Sequence, residues 1–431
     1  MRYDAIVAGG GAAGVAAAIG AARAGASVAL IERAAYLGGA ATHSNVLTYC
    51  GIWTQAHPEQ QIVQGVGAEI LREIDAVGGD ASARRMPVSN VVVALLDPEI
   101  VKFALDRVCE RAGVDVLLHA TIVGAQARDG HIAAVDVVDH NGIARLEAGA
   151  FVDASGDADL AARAGAEVRY GDGRGNVQNG TLVIRFGGIA ADADTTRATW
   201  ERAVKAGKAR GLTELTKEHG LVVRIPGSND VLAYLADEGY DARDARSIGE
   251  AERRGRRQAW QYLDAIRTLP GHERAYIVTT GPSIGTRESR HVVAQYQLAT
   301  GDVVHRGTFA DSVALGGWPV EIHPGAGLPN RWVRIDGDGA YEIPLRTLCS
   351  RTHANLFAAG RTLDAEPDAF ASVRVMGTAF ATGHAAGVAA ARFSSRGETE
   401  PDAVRAELVR QGALLSASPA AVVPSLERTT P

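Results

Sequence analysis

The sequence has few aromatic residues, few cysteines and no long apolar run. Only 5% of its 431 residues are aromatic, so its core must rely on Ala, Val, Leu and Ile. The cysteines, Cys50, Cys109 and Cys349, are widely spaced and form no CxxC pair. This argues against a disulfide framework or a dithiol redox centre and favours a reducing, cytoplasmic location. No run reaches the roughly 18–20 apolar residues of a membrane span, so no integral membrane contact is expected.

Excess charge of either sign is also lacking. Lys and Arg total 44, Asp and Glu total 50, and the formal net charge is -6. Such a balance argues against a general nucleic-acid-binding protein, which would carry a strongly basic surface. Lysine occurs only four times, so arginine supplies nearly all the positive charge. We predict no metal site.

Glycine, in contrast, is abundant, with 50 residues against 15 prolines. Gly9-x-Gly11-x-x-Gly14 lies between a predicted strand and an alanine-rich helix, and the next predicted strand ends at Glu32. Such glycines permit a tight turn, a close approach of the backbone to a pyrophosphate, and close helix–strand packing. The helix N-terminus attracts phosphates, and Glu32 could accept hydrogen bonds from ribose hydroxyls while repelling a 2′-phosphate. The pattern therefore predicts a site for FAD or NAD rather than NADP.

Segments 152–157 and 355–361 also read as strands that end in glycine, and both resemble secondary FAD-contact motifs of the glutathione-reductase-type flavoprotein fold. Further similar segments follow in family order: 285–290, 311–314, 318–323, 341–346 and 372–376. Together they resemble the FAD-dependent oxidoreductase family, whose distant relatives include the fumarate reductase flavoproteins. The resemblance covers most of the chain and implies FAD and redox chemistry, but no particular substrate.

The predicted fold class is α/β, with a Rossmann-like FAD-binding domain and an inserted mixed α+β substrate domain. The FAD-binding domain would combine a doubly wound parallel sheet with a β-meander. We place it at 1–165 and 340–395, the substrate or cap domain at 166–339, and a C-terminal helix and frayed tail at 396–431. A second GxGxxG is absent downstream, so a dedicated NAD(P)H domain is not expected.

The resemblance also implies which residues contact FAD. The helix after Arg374 would direct its positive N-terminus at the flavin pyrimidine edge and stabilise negative charge on the reduced flavin. The predicted contacts are Gly9, Gly11, Ala12, Ala13, Gly14, Glu32, Arg33, Gly38, Gly39, Ala40, Thr42, Ala154, Ser155, Gly156, Asp157, Gly360, Arg361, Arg374, Gly377, Thr378 and Ala379.

His43 follows the second strand and could face the dimethylbenzene edge of the flavin. Some flavoenzymes of this superfamily carry an 8α-histidyl link from a similar place, so covalent attachment of FAD through His43 is one hypothesis. A non-covalent contact and an ordinary loop histidine are the alternatives.

The candidate catalytic residues are His323, Arg287, Arg374 and His43, and the candidate substrate-binding residues are Arg290, Arg346 and Asp311. Guanidinium groups clamp carboxylates in bidentate fashion, and imidazole titrates near neutrality, as an acid or base requires. The competing interpretation is structural. Each arginine could pair with a nearby carboxylate, His323 could be a satisfied structural residue, and Asp311 could cap a helix.

Taken together, the sequence predicts an FAD-dependent oxidoreductase that transfers hydride between a small, carboxylate-bearing substrate and flavin N5. The electron acceptor is unknown, and a homodimer is an open possibility. An FAD-dependent monooxygenase and a non-catalytic flavin-binding protein remain the alternatives.

Overall fold

The computed structural model describes residues 1–87, 89–225 and 227–417. The α-helices are α1 (Ala12–Arg23), α2 (Ala40–His43), α3 (Val66–Ala76), α4 (Pro98–Arg111), α5 (Asp159–Arg163), α6 (Arg197–Ala209), α7 (Ala245–Ile266), α8 (Thr300–Val304), α9 (Pro367–Val373), α10 (Met376–Arg396) and α11 (Pro401–Arg410). Short 3-10 helices cover Asp336–Asp338, Leu345–Thr347 and Gly360–Thr362.

The strands complete the element list. They are β1 (Arg2–Ala8), β2 (Val28–Ile31), β3 (Thr48–Cys50), β4 (Arg84–Arg85), β5 (Val92–Leu95), β6 (Asp115–Leu117), β7 (Thr121–Arg128), β8 (His131–Asp139), β9 (Gly142–Asp153), β10 (Val168–Tyr170), β11 (Gly180–Gly187), β12 (Val222–Arg224), β13 (Val231–Glu238), β14 (Tyr276–Thr280), β15 (Arg290–Val292), β16 (Ser312–Gly316), β17 (Val320–Ile322), β18 (Arg331–Val333), β19 (Tyr341–Pro344) and β20 (Leu356–Ala358).

The main sheet has the strand order β6-β2-β1-β9-β8-β7, and β20 pairs with the free side of β9. Strands β6, β2, β1, β9 and β20 are parallel, whereas β7, β8 and β9 form an antiparallel meander. Strands β2 and β20 and the C-terminal ends of β1 and β9 are wholly buried, as expected for strands covered on both faces, whereas the edge strand β6 is partly exposed. The predicted α/β fold class, with its Rossmann-like sheet and meander, is confirmed.

One strand is longer than the sequence suggests. The patterns at 143–148 and 150–154 read as two strands, but β9 runs unbroken from Gly142 to Asp153. Its first half pairs with β8 and its second half with β1 and β20. The strand changes from a half-exposed to a fully buried environment along its length, and this change of pattern made it look like two elements.

Helices α1 and α10 pack against each other unusually closely. A Cβ atom on Gly383 or Gly387 of α10 would overlap the backbone carbonyls of Ala13 and Ala17 of α1. These glycines therefore bring the two helix backbones into direct contact, and nearly all of α1 is buried. Both helices begin beside the parallel strand ends.

A second, antiparallel sheet has the order β12-β13-β11-β14 and is covered by α6 and α7. Its core is a separate cluster of buried residues between Leu182 and Ile284. Residues Val292, Leu298 and Leu315 instead belong to the main core. The domain limits of 166 and 339 stay a prediction, and this packing favours a narrower inserted unit.

The predicted C-terminal helix is present as α11, but the predicted frayed tail lies at 418–431, outside the described residues. Within the described residues, no helix is long and apolar enough to cross a membrane.

Replacing Gly387 by alanine should destabilise the fold, because the added methyl group must separate α1 from α10. Overpacking of this kind costs about 1–3 kcal/mol or more, measurable as the free energy of unfolding in urea. Gly249 is the matched control, since it lies within α7 and an added Cβ would meet only the Arg253 guanidinium, 3.9 Å away. Gly249→Ala should leave stability unchanged or raise it by up to about 1 kcal/mol. Equal effects of the two substitutions would contradict the packing argument.

Candidate active site

A cavity of about 1410 Å³ lies between the main sheet and the second sheet. It is lined by residues at the carboxyl ends of β1, β2, β9 and β20 and by residues of β11, β12 and β13. Ligands of open α/β sheets bind at this edge. Its volume exceeds the roughly 300–1,000 Å³ of a typical single-ligand pocket, so it has room for a dinucleotide and a second molecule.

The glycine-rich turn forms one wall of this cavity. Gly9 has a φ of +94°, and an added Cβ would lie 2.6 Å from the Ala154 carbonyl oxygen. A Cβ on Gly14 would overlap the Gly9 carbonyl oxygen, so both glycines are required by the turn itself. Gly11 differs, because its Cβ would meet only the Gly39 Cα, 3.7 Å away, and would project into open cavity space. Its small size serves a ligand rather than the fold.

The start of α1 completes the phosphate-binding geometry. No side chain caps the helix and its first turn contains no acidic residue, so its N-terminal N–H groups and partial positive charge face the cavity beside Ala12 and Ala13. Glu32 lines the same cavity and accepts hydrogen bonds from the backbone N–H of Gly10 at 2.6 Å and of Ala34 at 2.9 Å. The carboxylate thus shapes the turn and still presents acceptor lone pairs to a ribose. Neighbouring Arg33 also lines the cavity.

Two loops after β9 and β20 meet at the next part of the wall, which contains Ala154, Ser155, Gly156, Asp157, Gly360 and Arg361. Asp157 Oδ1 and Arg361 Nη1 are buried without hydrogen-bond partners and lie 3.7 Å apart. Buried polar atoms are rarely left unsatisfied in native proteins. This pair therefore indicates a place where a polar ligand binds.

Arg290 supports this loop rather than lining the cavity. Its Nε donates to the Asp157 carbonyl oxygen at 2.8 Å, and its Nη2 donates to Asp159 at 2.5 Å. These contacts position the Asp157 loop, and the role of Arg290 in substrate binding stays a prediction.

The loop after β2 divides into lining and supporting residues. Gly39, Ala40 and His43 line the cavity, whereas Gly38 and Thr42 lie behind it. Thr42 Oγ1 donates to the Leu37 carbonyl oxygen at 2.7 Å and fixes the loop. The predicted contacts of Gly38 and Thr42 with FAD stay predictions.

His43 lines the cavity, but its ring stacks on Tyr36 with centroids 4.4 Å apart. Its Nε2 is buried and has no hydrogen-bond partner. Burial lowers the pKa of His43 below its usual value, and the charge of the nearby Glu32 offsets this only in part.

The start of α10 resembles that of α1 in having no capping side chain and no acidic residue in its first turn. Arg374, Val375, Met376 and Ala379 line the cavity there. Gly377 and Thr378 do not, because an added Cβ on Gly377 would overlap the Cys50 carbonyl oxygen and Thr378 is fully buried. These two residues pack the helix start against its neighbours, and their contact with FAD stays a prediction.

The predicted catalytic residues Arg287, His323 and Arg374 converge on the same cavity. Arg287 Nη1 donates to the Asn179 carbonyl oxygen at 2.5 Å, and Arg374 Nη2 donates to the Glu321 carbonyl oxygen at 3.1 Å. Arg374 Nε is buried without a partner. Burial and the charge of Arg287 lower the pKa of Arg374 to about 10, so the guanidinium remains charged at neutral pH.

His323 faces Glu321, with Nε2 3.5 Å from Oε1. Burial first, and then the charge of Arg287, lower the pKa of His323 to about 3. Burial raises the pKa of Glu321, but the hydrogen bond from His323 and the charges of Arg374 and Arg287 outweigh it, so the pKa falls to about 2. A neutral imidazole beside this carboxylate holds its proton on Nε2, which leaves a lone pair on Nδ1. Nδ1 is buried and has no protein partner.

The structure adds Lys217, which the sequence reasoning missed. It lines the cavity with Nζ 3.0 Å from Asp237 Oδ2, and Asp237 is fully buried behind it. Asp237 Oδ1 also lies 3.9 Å from Arg287 Nη1. The scarcity of lysine was the available signal, since Lys217 is one of four in the chain and is only 8% exposed.

Arg346 and Asp311 lie outside the cavity. Their side chains pair with each other, Nη1 to Oδ1 at 3.0 Å, and Arg346 packs over the ring of Tyr296. The two charges therefore satisfy each other outside the cavity, and the predicted substrate contacts of these residues stay predictions.

Fold and cavity together have the features of a dinucleotide-binding protein, with the nucleotide turn in the wall of a cavity that has room for a second molecule. The sequence profile of the FAD dependent oxidoreductase family matches residues 4–412. The chain therefore belongs to this family, and it is an FAD-dependent enzyme. No curated protein matches the chain.

Solved structures with a similar chain course are remote. A geranylgeranyl bacteriochlorophyll reductase-like protein from Thermoplasma acidophilum is 16% identical, with 96% of this chain and 84% of that one covered and a TM-score of 0.46. BexE, studied for oxidation in BE-7585A biosynthesis, is 12% identical, with coverage of 95% and 66% and a TM-score of 0.49. The p-nitrophenol 4-monooxygenase of Pseudomonas putida is 10% identical, with coverage of 97% and 91% and a TM-score of 0.45. At these scores they carry no conclusion about the reaction.

The residues present fit FAD. One continuous cavity is lined by the open space beside Gly11, by the uncapped starts of α1 and α10, and by the buried, unpartnered polar atoms of Asp157 and Arg361. The individual contacts remain predictions.

Gly11→Ala tests whether the open space beside Gly11 is needed for FAD binding. The apoprotein should keep its free energy of unfolding, because the φ of −75° suits alanine and the new Cβ meets no close neighbour. Bound flavin per chain, measured by absorbance after purification, should fall sharply because the methyl group occupies ligand space. Gly9→Ala is the contrasting variant and should destabilise the apoprotein as well. Full flavin content in Gly11→Ala would remove Gly11 from the cofactor site.

Acid precipitation tests the hypothesis of a covalent link. We expect the flavin to remain in the supernatant and the pellet to be colourless, because His43 Nε2 is shielded and the ring is held against Tyr36. A yellow pellet that becomes colourless in His43→Ala would establish covalent attachment through His43.

Proposed function

We propose that the protein is an FAD-dependent dehydrogenase or oxidase of a small carboxylate substrate. The observation that carries this proposal is the convergence of Arg287, Arg374 and His323 on the cavity that also contains the nucleotide turn. Bound FAD would supply the two-electron redox chemistry, accepting or donating hydride.

The chain's own residues would bind and orient the substrate. Arg287 and Arg374 are both anchored through backbone carbonyl oxygens, so their guanidinium groups are held in place before an anion arrives. Preorganised cations of this kind fix a carboxylate with little loss of side-chain entropy. Lys217 lines the same cavity, with its charge paired to Asp237.

His323 would act as the base. The Glu321 carboxylate holds the ring with Nε2 as the donor and Nδ1 as the acceptor, so Nδ1 can take the proton that a substrate hydroxyl or amine loses on oxidation. A carboxylate bound by the arginines would offset the positive charge that depresses the pKa of His323, and the imidazole would become a stronger base when substrate is present.

Arg374→Met tests the anion-binding role. Removing one charge partner from a buried site costs about 2–5 kcal/mol, so kcat/KM for a carboxylate substrate should fall by roughly 30-fold or more. The matching amide should be almost unaffected. Arg346→Met is the control, because that arginine pairs with Asp311 outside the cavity.

The reaction type is tested by mixing the holoenzyme anaerobically with a panel of carboxylates and following the flavin's visible absorbance. Bleaching by a carboxylate alone supports the dehydrogenase or oxidase. Bleaching only by NAD(P)H, together with a hydroxylated product in air, would replace the proposal with the monooxygenase. If amides bleach the flavin as well as acids do, the anionic substrate class is wrong.

A further inference from the structure

One side of the cavity is apolar and belongs to a single packed cluster. Val91, Val93, Leu95, Trp318 and Val375 form this cluster, and Cys50, Met86 and Val223 pack against it. All of them except Leu95 line the cavity. We call this lining surface, made of Cys50, Met86, Val91, Val93, Val223, Trp318 and Val375, the apolar wall.

The polar groups on the apolar wall already form hydrogen bonds within the protein. Trp318 Nε1 donates to Glu321 Oε2 at 3.3 Å, and Cys50 Sγ lies 3.6 Å from Thr48 Oγ1. Burial raises the pKa of the Cys50 thiol to about 12, so it remains neutral. The apolar wall therefore offers a ligand contact area but little hydrogen bonding.

The apolar wall lies directly beside the part of the cavity that Arg287, Arg374 and His323 line. Val375 follows Arg374 in the chain, and Trp318 is bonded to the same Glu321 that faces His323. A ligand held at Arg374 and His323 would thus place the remainder of its structure against the apolar wall. A polar body there would lose its hydration without gaining partners.

We propose that the substrate is a monocarboxylate with an apolar body of about the size of an aryl group, and that this body lies on the apolar wall. The inference rests on the proposed function for the carboxylate, and it adds the chemical nature of the rest of the substrate molecule. It excludes short hydroxy acids and dicarboxylates, because their polar atoms would face the valine side chains.

Equilibrium dialysis with the holoenzyme tests the substrate class through binding alone. The probes are phenylacetate, acetate, succinate and the uncharged phenylacetamide. Burying a ring of this size is worth about 1.5–3 kcal/mol, so phenylacetate should bind at least about tenfold more tightly than acetate or succinate.

Variants of the apolar wall locate the effect. Val93→Thr and Val91→Thr keep the side-chain volume but add a hydroxyl, and each should weaken phenylacetate binding by at least about threefold without changing acetate binding. Val123→Thr is the matched control on β7, where the side chain is 43% exposed and lies outside the cavity. The urea-unfolding midpoint of each variant shows whether it is folded.

The outcomes distinguish a failure of this inference from a failure of the proposed function. If phenylacetate and acetate bind equally, or if folded Val91 and Val93 variants bind phenylacetate normally, the apolar body is wrong while the carboxylate site stands. If phenylacetamide binds as tightly as phenylacetate, the carboxylate of the proposed function is wrong while the apolar wall stands. Tighter binding of succinate would overturn the monocarboxylate, and no binding of any probe would overturn both proposals.

Discussion

The direct backbone contact of α1 with α10 determines where the site forms. Gly383 and Gly387 leave no side chain between the helices, so their axes approach until backbone meets backbone. Both helices then begin at the same cavity, and both begin without a capping side chain. Two positive helix ends are thereby directed at one space, one beside the phosphate-binding turn and one beside Arg374. A looser packing would separate them and divide the cavity.

The segment around β15 connects the part of the cavity that Arg287 lines to the Asp157 loop. Arg287 faces the cavity and binds the Asn179 carbonyl oxygen, and Arg290 binds the Asp157 loop. Between them, Glu288 accepts a hydrogen bond from the Gln178 N–H at 2.9 Å. Three residues a few positions apart in the chain thus hold the second sheet, the Arg287 side chain and the Asp157 loop in fixed relative positions. A shift of this segment would move the guanidinium of Arg287 and the Asp157 loop together.

The sequence predicted the local parts of this site and missed those that depend on distant pairing. The nucleotide turn was readable because the roles of Gly9 and Gly14 are set within one strand–turn–helix unit. Lys217 lies in a loop and its position depends on Asp237 in β13, so only the scarcity of lysine pointed to it. For Arg346 and Asp311, the sequence left substrate binding and structural pairing both open, because order along the chain does not show which side chains pair with each other. The unbroken β9 was missed because its surroundings change midway along one regular strand.

In the proposed reaction, the balance of burial and charge around His323 would link the charge of the substrate to proton transfer. In the free enzyme, burial and Arg287 hold the pKa of this imidazole near 3, which makes Nδ1 a weak base. A bound carboxylate adds a negative charge beside Arg287 and Arg374 and so raises the pKa of His323, because an opposite charge stabilises the imidazolium. A neutral ligand of the same shape would bury the site equally well but would leave the base weak. The site would therefore favour an anion twice, once in binding and again in the proton transfer that follows.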